Sequence, residues 1–321
     1  MSFIDSVFNL SQALVKREYA SLSELFMLPK LFCRLAADGN IKRAFSLFLT
    51  FFQLIGSLFF GYPVNPYKDR INMSRFELVW SDEFDSGFNS EKWQGHYVYG
   101  DNDTQLRDVA YWNRNQVRFT DDGCMQIAIE YKEDGTAGPG YYSYGMETNP
   151  NKNYSGNHKG YEQLYGYFEI RCKMPKGKGI NPAFWLLTDG MWADDTDGGL
   201  TGAEIDVFET RCDSDENSKY YNSVYQTVHV DGYEENHKRE IQGYFYGNDI
   251  YNEFNTYGVE WNVNEYIFYI NGIETARTSF AGVCQVPLYL IISVGVDENI
   301  KENRYLPSVM TVDYVRCYQY K

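Results

Sequence analysis

From about residue 75 onward, apolar and polar positions alternate in short runs, with turn residues between them. "GCMQIAIEY", "YGYFEIRCKMP", "YNSVYQTVHV", "TYGVEWNVNEYIFYINGIETARTS", "VPLYLIISVGV" and "MTVDYVRCYQY" all carry this pattern. A period of two is that of a strand with one buried and one solvated face. Within "YIFYINGIETART" the Asn271-Gly272 pair marks the tight turn of a β-hairpin. About a dozen such runs and few helical ones predict an all-β sandwich or barrel. No internal repeat or low-complexity tract interrupts it.

Before residue 65 the pattern is helical. "SQALVKREYASLSELFMLPKLFCRLA" places apolar residues at helix spacing and has few β-branched ones. Residues 44–61, "AFSLFLTFFQLIGSLFFG", carry no charge; Lys42 and Arg43 precede them, and the prolines of "YPVNPYKD" end any helix. This stretch suits a short membrane anchor, an interfacial amphipathic helix or a helix docked on the folded domain. A cleaved signal peptide fits poorly, because a long region precedes it and no small-residue cleavage pattern follows. A spanning reading puts the N-terminus in the cytoplasm and the C-terminal domain outside. The expected organisation is a helical segment over 1–65 and a β-domain over 75–321.

The most unusual strand is "GAEIDVFETRC", residues 202–212, which carries Glu204, Asp206 and Glu209. Glu204 and Asp206 share a face at strand spacing, whereas Glu209 falls one residue late. A β-bulge between Asp206 and Glu209 absorbs one residue and turns Glu209 onto the face of the other two. Ile205, Val207 and Phe208 then form the core side. Three carboxylates on one face repel each other unless protons or partners relieve them. Retaining glycosidases need such acids: one carboxyl attacks an anomeric carbon and another, with a raised pKa, protonates the leaving oxygen. A third acid between them tunes both. A solvated acidic face, with or without a metal ion, is the alternative, and spacing alone does not decide which Glu attacks.

The overall charge of −15 argues against nucleic acid as a partner, since phosphate binding needs clustered Lys and Arg. Aromatic residues make up 17% of the chain, enough both to pack a sandwich core and to provide platforms for sugar rings. The six cysteines form no CxxC pair, so a zinc site is not expected; Cys172 and Cys317 lie in strand patterns and read as buried thiols.

"EIDVFE" resembles the bulged signature of glycoside hydrolase family 16. Other stretches agree in the same order: "FELVWSDEFDSGFNSEKW", "YGYFEIRCKMPKGKGINPAFWLL", "TVHVDGY", "TYGVEWNVNEYIFYINGIET" and "TVDYVRCYQ". The resemblance spans roughly 75–321. It implies a β-jelly-roll of two curved antiparallel sheets whose concave face binds a polysaccharide. It also implies Glu204 as nucleophile, Asp206 as assisting acid and Glu209 as general acid/base of a retaining endo-hydrolase. No cofactor is required for catalysis.

Trp185 in "NPAFW" is expected to line the cleft, and Asn181 stands where the family usually has Trp. His229 is expected to face the cleft, and Asp231 alternates with it. Trp112 and Trp192 are candidate sugar platforms, each of which could equally be packing. Arg171 and Glu169 are expected on a strand beside the signature, with Arg171 turned away from the three acids or paired with Glu169 or another acid. A structural calcium on the convex side would use Glu83, Gly123 and Asp313. The implied substrate is a β-1,3- or mixed-linkage glucan. A sulfated galactan such as agar, porphyran or carrageenan is kept open by Lys159, Lys173, Lys176 and Lys178. A sugar-binding jelly roll without catalysis is the alternative class. The expected protein is a monomer at the extracellular face, anchored or secreted, with a cytoplasmic enzyme as the alternative.

Overall fold

A computed structural model describes residues 69–95, 104–106, 109–154, 156–193, 196–212, 218 and 220–321. The helical reading of 1–65, its apolar stretch 44–61 and Cys33 all lie outside the described residues. No helix among the described residues is long and apolar enough to cross a membrane. The β-domain forms one compact unit from Asp69 to Lys321. It begins slightly before the expected residue 75 because Ile71 donates its N–H to Gly272 O at 3.0 Å and Glu274 donates to Asp69 O at 3.0 Å.

Two sheets stack face to face. The first runs β17 (Ile273–Thr278), β16 (Tyr266–Ile270), β15 (Asn255–Trp261), β10 (Gly166–Lys173), β19 (Ser308–Tyr320), β6 (Met125–Lys132), β7 (Gly140–Ser143), β4 (Ala110–Trp112) and β3 (Thr104–Leu106). In it β1 (Phe76–Asp82) also pairs with β19, and β5 (Val117–Phe119) with β6. The second runs β14 (Lys238–Tyr246), β13 (Ser223–Val230), β12 (Ala203–Glu209), β11 (Ile180–Leu187), β18 (Leu288–Val296), β8 (Gly145–Glu147) and β2 (Gln94–Gly95), with β9 (Glu162–Gln163) beside β18. Apart from β4 and β7, every recorded pair is antiparallel. The predicted hairpin is present: Asn271 (φ 51°) and Gly272 (φ 71°) join β16 to β17 in the left-handed conformation that this turn needs.

The core lies between the sheets. Ile205, Val207 and Phe208 of β12 meet Phe168, Ile170, Tyr257, Val259 and Trp261 of the facing sheet, all buried. Phe208 packs on Tyr257 with ring centroids 4.7 Å apart. Each such side chain contributes about 1.5–3 kcal/mol on burial. Cys172 and Cys317 are buried free thiols, as expected.

Two expectations are corrected by the packing. Trp112 is not a sugar platform: it is 1% exposed, lies in the core and donates its Nε1–H to Gly145 O at 3.1 Å. Its short strand β4 belongs to the far sheet. Arg171 and Glu169 do not sit beside the signature either, because β10 pairs with β15 and β19 in that opposite sheet. Arg171 does pair with another acid, Asp313.

Candidate active site

The bulge in β12 is where the acid spacing requires it. Against β13, Asp206 lies opposite Thr227 and Glu209 opposite Tyr225, so Val207 and Phe208 together face Gln226. Against β11, Phe208 pairs with Phe184 and Asp206 with Trp185, so Val207 is the residue without an opposite number. Val207 and Phe208 both turn into the core, and Glu204, Asp206 and Glu209 share the other face. The apolar pull of two consecutive core residues is the local cause: a regular strand would expose one of them.

Asp206 is the centre of the group and is 2% exposed. It hydrogen-bonds with Glu209. Its carboxylate, that of Glu204 and the His229 ring have atoms all within 4.8 Å of one another. His229 Nε2 lies 3.2 Å from Asp206 Oδ2 and 3.9 Å from Glu204 Oε1. The Tyr233 hydroxyl donates to Glu204 Oε2. Burial, then the neighbouring Asp206, pushes the Glu204 carboxyl up to about 8, against the opposing pull of His229 and Tyr233. Burial and Glu209 hold Asp206 well above the ordinary carboxylate range. A proton on Asp206 relieves both neighbours at once, which lets Glu204 ionise beside the Tyr233 hydroxyl. Glu204, Asp206 and His229 are also the one cluster of metal-ligating type among the described residues. Glu204 Oε2 already accepts from Tyr233 and Asp206 is bonded to Glu209, while Asp206 Oδ2 has no hydrogen-bond partner.

The raised carboxyl makes the fold sensitive to pH. Between its ordinary value of 4.5 and about 8, Glu204 binds a proton in the native state that the unfolded chain has released. Stability therefore falls as pH rises through that window and is fully reduced above it. Glu204→Gln is expected to raise Tm at pH 8 by roughly 5 °C and to leave it unchanged near pH 4. Thermal scans of both proteins at the two pH values check this; equal Tm at pH 8 contradicts it.

Trp185 stands opposite Asp206 on the cleft face, half-buried, with its Nε1–H donated to Ser293 Oγ at 3.1 Å. Asn181 lies on the same face of β11 and donates to Asp297 Oδ2 at 3.3 Å. Trp192 is 54% exposed and packs on Tyr233, with centroids 4.8 Å apart, so it belongs to the site. His229 faces Glu204 across the strands. Asp231 does not join it: its carboxylate accepts Gly198 N–H at 2.9 Å and Lys238 Nζ at 2.7 Å, tying loops together. Several site residues were not anticipated. Tyr233 and His237 come from the loop after β13, where no periodicity points inward. Tyr225, opposite Glu209, and Tyr244, opposite Tyr225, form an aromatic wall, with Tyr220 against Tyr244 at 4.8 Å. The alternation Tyr225, Thr227, His229 along β13 was the signal for the first of these.

The residues implied for calcium do not suit it as they stand. Arg316 donates to Glu83 from Nε at 3.0 Å and from Nη2 at 2.8 Å, and holds that carboxyl below its usual range. Arg171 donates to Asp313 Oδ2 while its guanidinium lies 4.4 Å from the Phe254 ring centroid. Gly123 has φ 82° and could offer only its backbone. A cation would have to displace two fixed guanidinium groups. We therefore expect EDTA to leave Tm unchanged; a fall reversed by added calcium would show that the arginines yield to the ion.

A two-sheet sandwich with three acids on one bulged strand defines a jelly-roll of the carbohydrate-active type. The chain belongs to glycosyl hydrolases family 16, whose family model matches residues 104–293. It is 31% identical over 162 residues to the endo-1,3-1,4-beta-glycanase ExsH of Rhizobium meliloti (strain 1021), covering 49% of this chain and 31% of that protein. It is 27% identical over 294 residues to the glucan endo-1,3-beta-glucosidase A1 of Niallia circulans, covering 81% of this chain and 39% of that one. The chain thus spans well under half the length of either relative. Among solved structures it is similar in fold to SCLam, a non-specific endo-beta-1,3(4)-glucanase, with a TM-score of 0.61 and 22% identity over 79% of this chain and 95% of that one.

Proposed function

We propose that the chain is a retaining, endo-acting hydrolase of a β-1,3- or mixed-linkage glucan. The observation that carries this reading is the bulge that brings Glu204, Asp206 and Glu209 to one open face with Asp206 between the other two. Glu204 attacks the anomeric carbon as the glycosidic C–O bond breaks, and Glu209 gives its proton to the leaving oxygen. The resulting glycosyl ester is then opened by a water that Glu209 deprotonates, which frees Glu204. Asp206 holds the proton that passes between the charge states of its neighbours. Trp192 and Tyr233 near Glu204, and Tyr225 and Tyr244 near Glu209, offer faces on which sugar rings stack. The name of the Niallia circulans relative, a glucan endo-1,3-beta-glucosidase, points to a glucan, and a polymer too large to enter a cell supports an enzyme that works outside it.

The lysines that would favour a sulfated galactan are engaged elsewhere. Lys159 binds Glu91, Lys178 binds Glu302, Lys176 donates to Asn252, and Lys173 lies over Phe254. One observation favours the second reading: exposed Arg239 stands opposite His229 on the cleft side of β14. Reducing-end release from laminarin, lichenan, agarose and κ-carrageenan decides between the two. Release from the first two is expected, with oligosaccharides of several lengths appearing early; release from the galactans alone overturns the glucan assignment.

A further inference from the structure

We propose that His237 is a positioning residue, which hydrogen-bonds the His229 ring and holds its Nε2–H on Asp206. The proposal rests on the reading of Glu204, Asp206 and Glu209 as the acids of a glycosidase, and it adds a residue that lies outside the strand bearing them.

His229 Nδ1 and His237 Nε2 are 2.9 Å apart, and the two rings are within 5° of coplanar with centroids 5.1 Å apart. The centroid separation exceeds the N···N distance by about two ring radii, so the rings meet edge to edge along a nitrogen lone pair rather than face to face. That is the geometry of a linear N–H···N bond. On its other side His229 Nε2 lies 3.2 Å from Asp206 Oδ2, a buried oxygen that has no hydrogen-bond partner of its own. Which nitrogen of a histidine carries the proton is set by the bond its other nitrogen makes.

Two arrangements compete when both rings are neutral. If His229 donated from Nδ1, its Nε2 lone pair would face Asp206 and Glu204. If His237 donates, His229 Nε2 carries the hydrogen and brings a donor within 3.2 Å of the orphaned Asp206 Oδ2. The second arrangement sets a donor, not a lone pair, against the acid. Burial, His229 and Arg239 all lower the proton affinity of His237, which favours a neutral ring at this bond.

The loop is built to place this ring. Asp231 (φ 62°) and Gly232 (φ 78°) turn the chain sharply out of β13. Lys238 Nζ closes the loop on Asp231 Oδ2 at 2.7 Å, and His237 N–H donates to Glu234 O at 3.2 Å. Tyr233, the partner of Glu204, comes from the same loop, with its ring 6.0 Å from that of His237. One short segment therefore supports both Glu204 and Asp206.

The test uses the full chain, whose four histidines give a tractable long-range ¹H–¹⁵N spectrum. His229→Gln assigns the signals. In the unmutated protein His229 is expected to show a protonated Nε2; in His237→Phe its two nitrogens should shift toward the averaged values of a tautomer mixture. With glucan, His237→Phe should lower kcat about tenfold, short of the 10²–10⁴ supplied by a whole proton-transfer group, with KM and Tm held. His237→Gln, whose amide can donate or accept at the same place, should restore most of the rate and the His229 signature. A His229 spectrum unchanged by His237→Phe overturns the proposal, as does a loss of rate that Gln does not restore. If the unmutated protein releases no sugar from any polymer, the glycosidase reading fails, while the spectra still decide whether His237 sets the His229 tautomer.

Discussion

Glu204→Gln is expected to abolish glucan hydrolysis, lowering kcat by roughly 10⁴-fold or more, while oligosaccharide binding persists. The amide is isosteric and can still accept from the Tyr233 hydroxyl, so the cleft keeps its shape but has no nucleophile. The amide also removes a carboxyl whose ionised form burial and Asp206 disfavour, so the variant should be more stable than its parent at pH 8. A merely structural glutamate would show the opposite coupling, with stability and activity falling together. Glu209→Ala gives the complementary result. It should lose most activity on glucan, where the leaving oxygen needs a proton, yet keep the first step on an aryl glycoside, whose phenolate leaves unaided. Added azide, which fits the space vacated by the carboxylate and needs no base, should then restore turnover and yield a glycosyl azide of retained configuration. Full activity in Glu204→Gln, or an azide product of inverted configuration from Glu209→Ala, sinks the assignment of roles.

Much of this architecture is legible in residues. The strand alternation is clearest where one face of a sheet is wetter than the other, as along β10 and β19, whereas β16 is buried on both faces and is marked by its Asn271-Gly272 hairpin. The three acids are legible for a related reason: Val207 and Phe208 in succession are intolerable on a regular strand with a wet face, so the bulge follows from where apolar groups must go. What resisted was the pairing of distant strands. "YGYFEIRCK" and "INPAFWLL" are neighbours in sequence, yet β10 and β11 fall in opposite sheets, which put Arg171 far from the acids it was expected to flank. Trp112 has the same pattern in a core as on a sugar platform, and only the sheet it joins separates the two. Tyr233 and His237 sit in a loop whose course is set by Asp231, Gly232 and Lys238. An ion pair that closes a loop leaves no periodic trace.

The bulge itself can be tested by changing its length. Deleting Val207 removes the residue that has no opposite number on β11 and the second of two that face Gln226 on β13. The strand can then pair regularly with both neighbours, with Phe208 still inward and Glu209 still on the cleft face. The cost is one buried valine, about 1.5–3 kcal/mol, so a folded protein of lower Tm and reduced but measurable activity is expected. Inserting one glycine after Val207 has the opposite consequence. If the strand regularises, Phe208 stays inward and Glu209 stays on the cleft face, but Glu209 slides from opposite Tyr225 to opposite Ser223, about 7 Å farther along the strand from Glu204 and out of reach of the same glycosidic bond. That variant should be inactive by at least 10³-fold while still folding, since no charge is driven into the core. The contrast is the informative quantity, since both changes alter the chain by one residue at the same place. Equal damage from deletion and insertion would mean that the acids are aligned by something other than the pairing described, whereas a tolerated deletion beside an inactivating insertion ties catalysis to the position of Glu209 along β13.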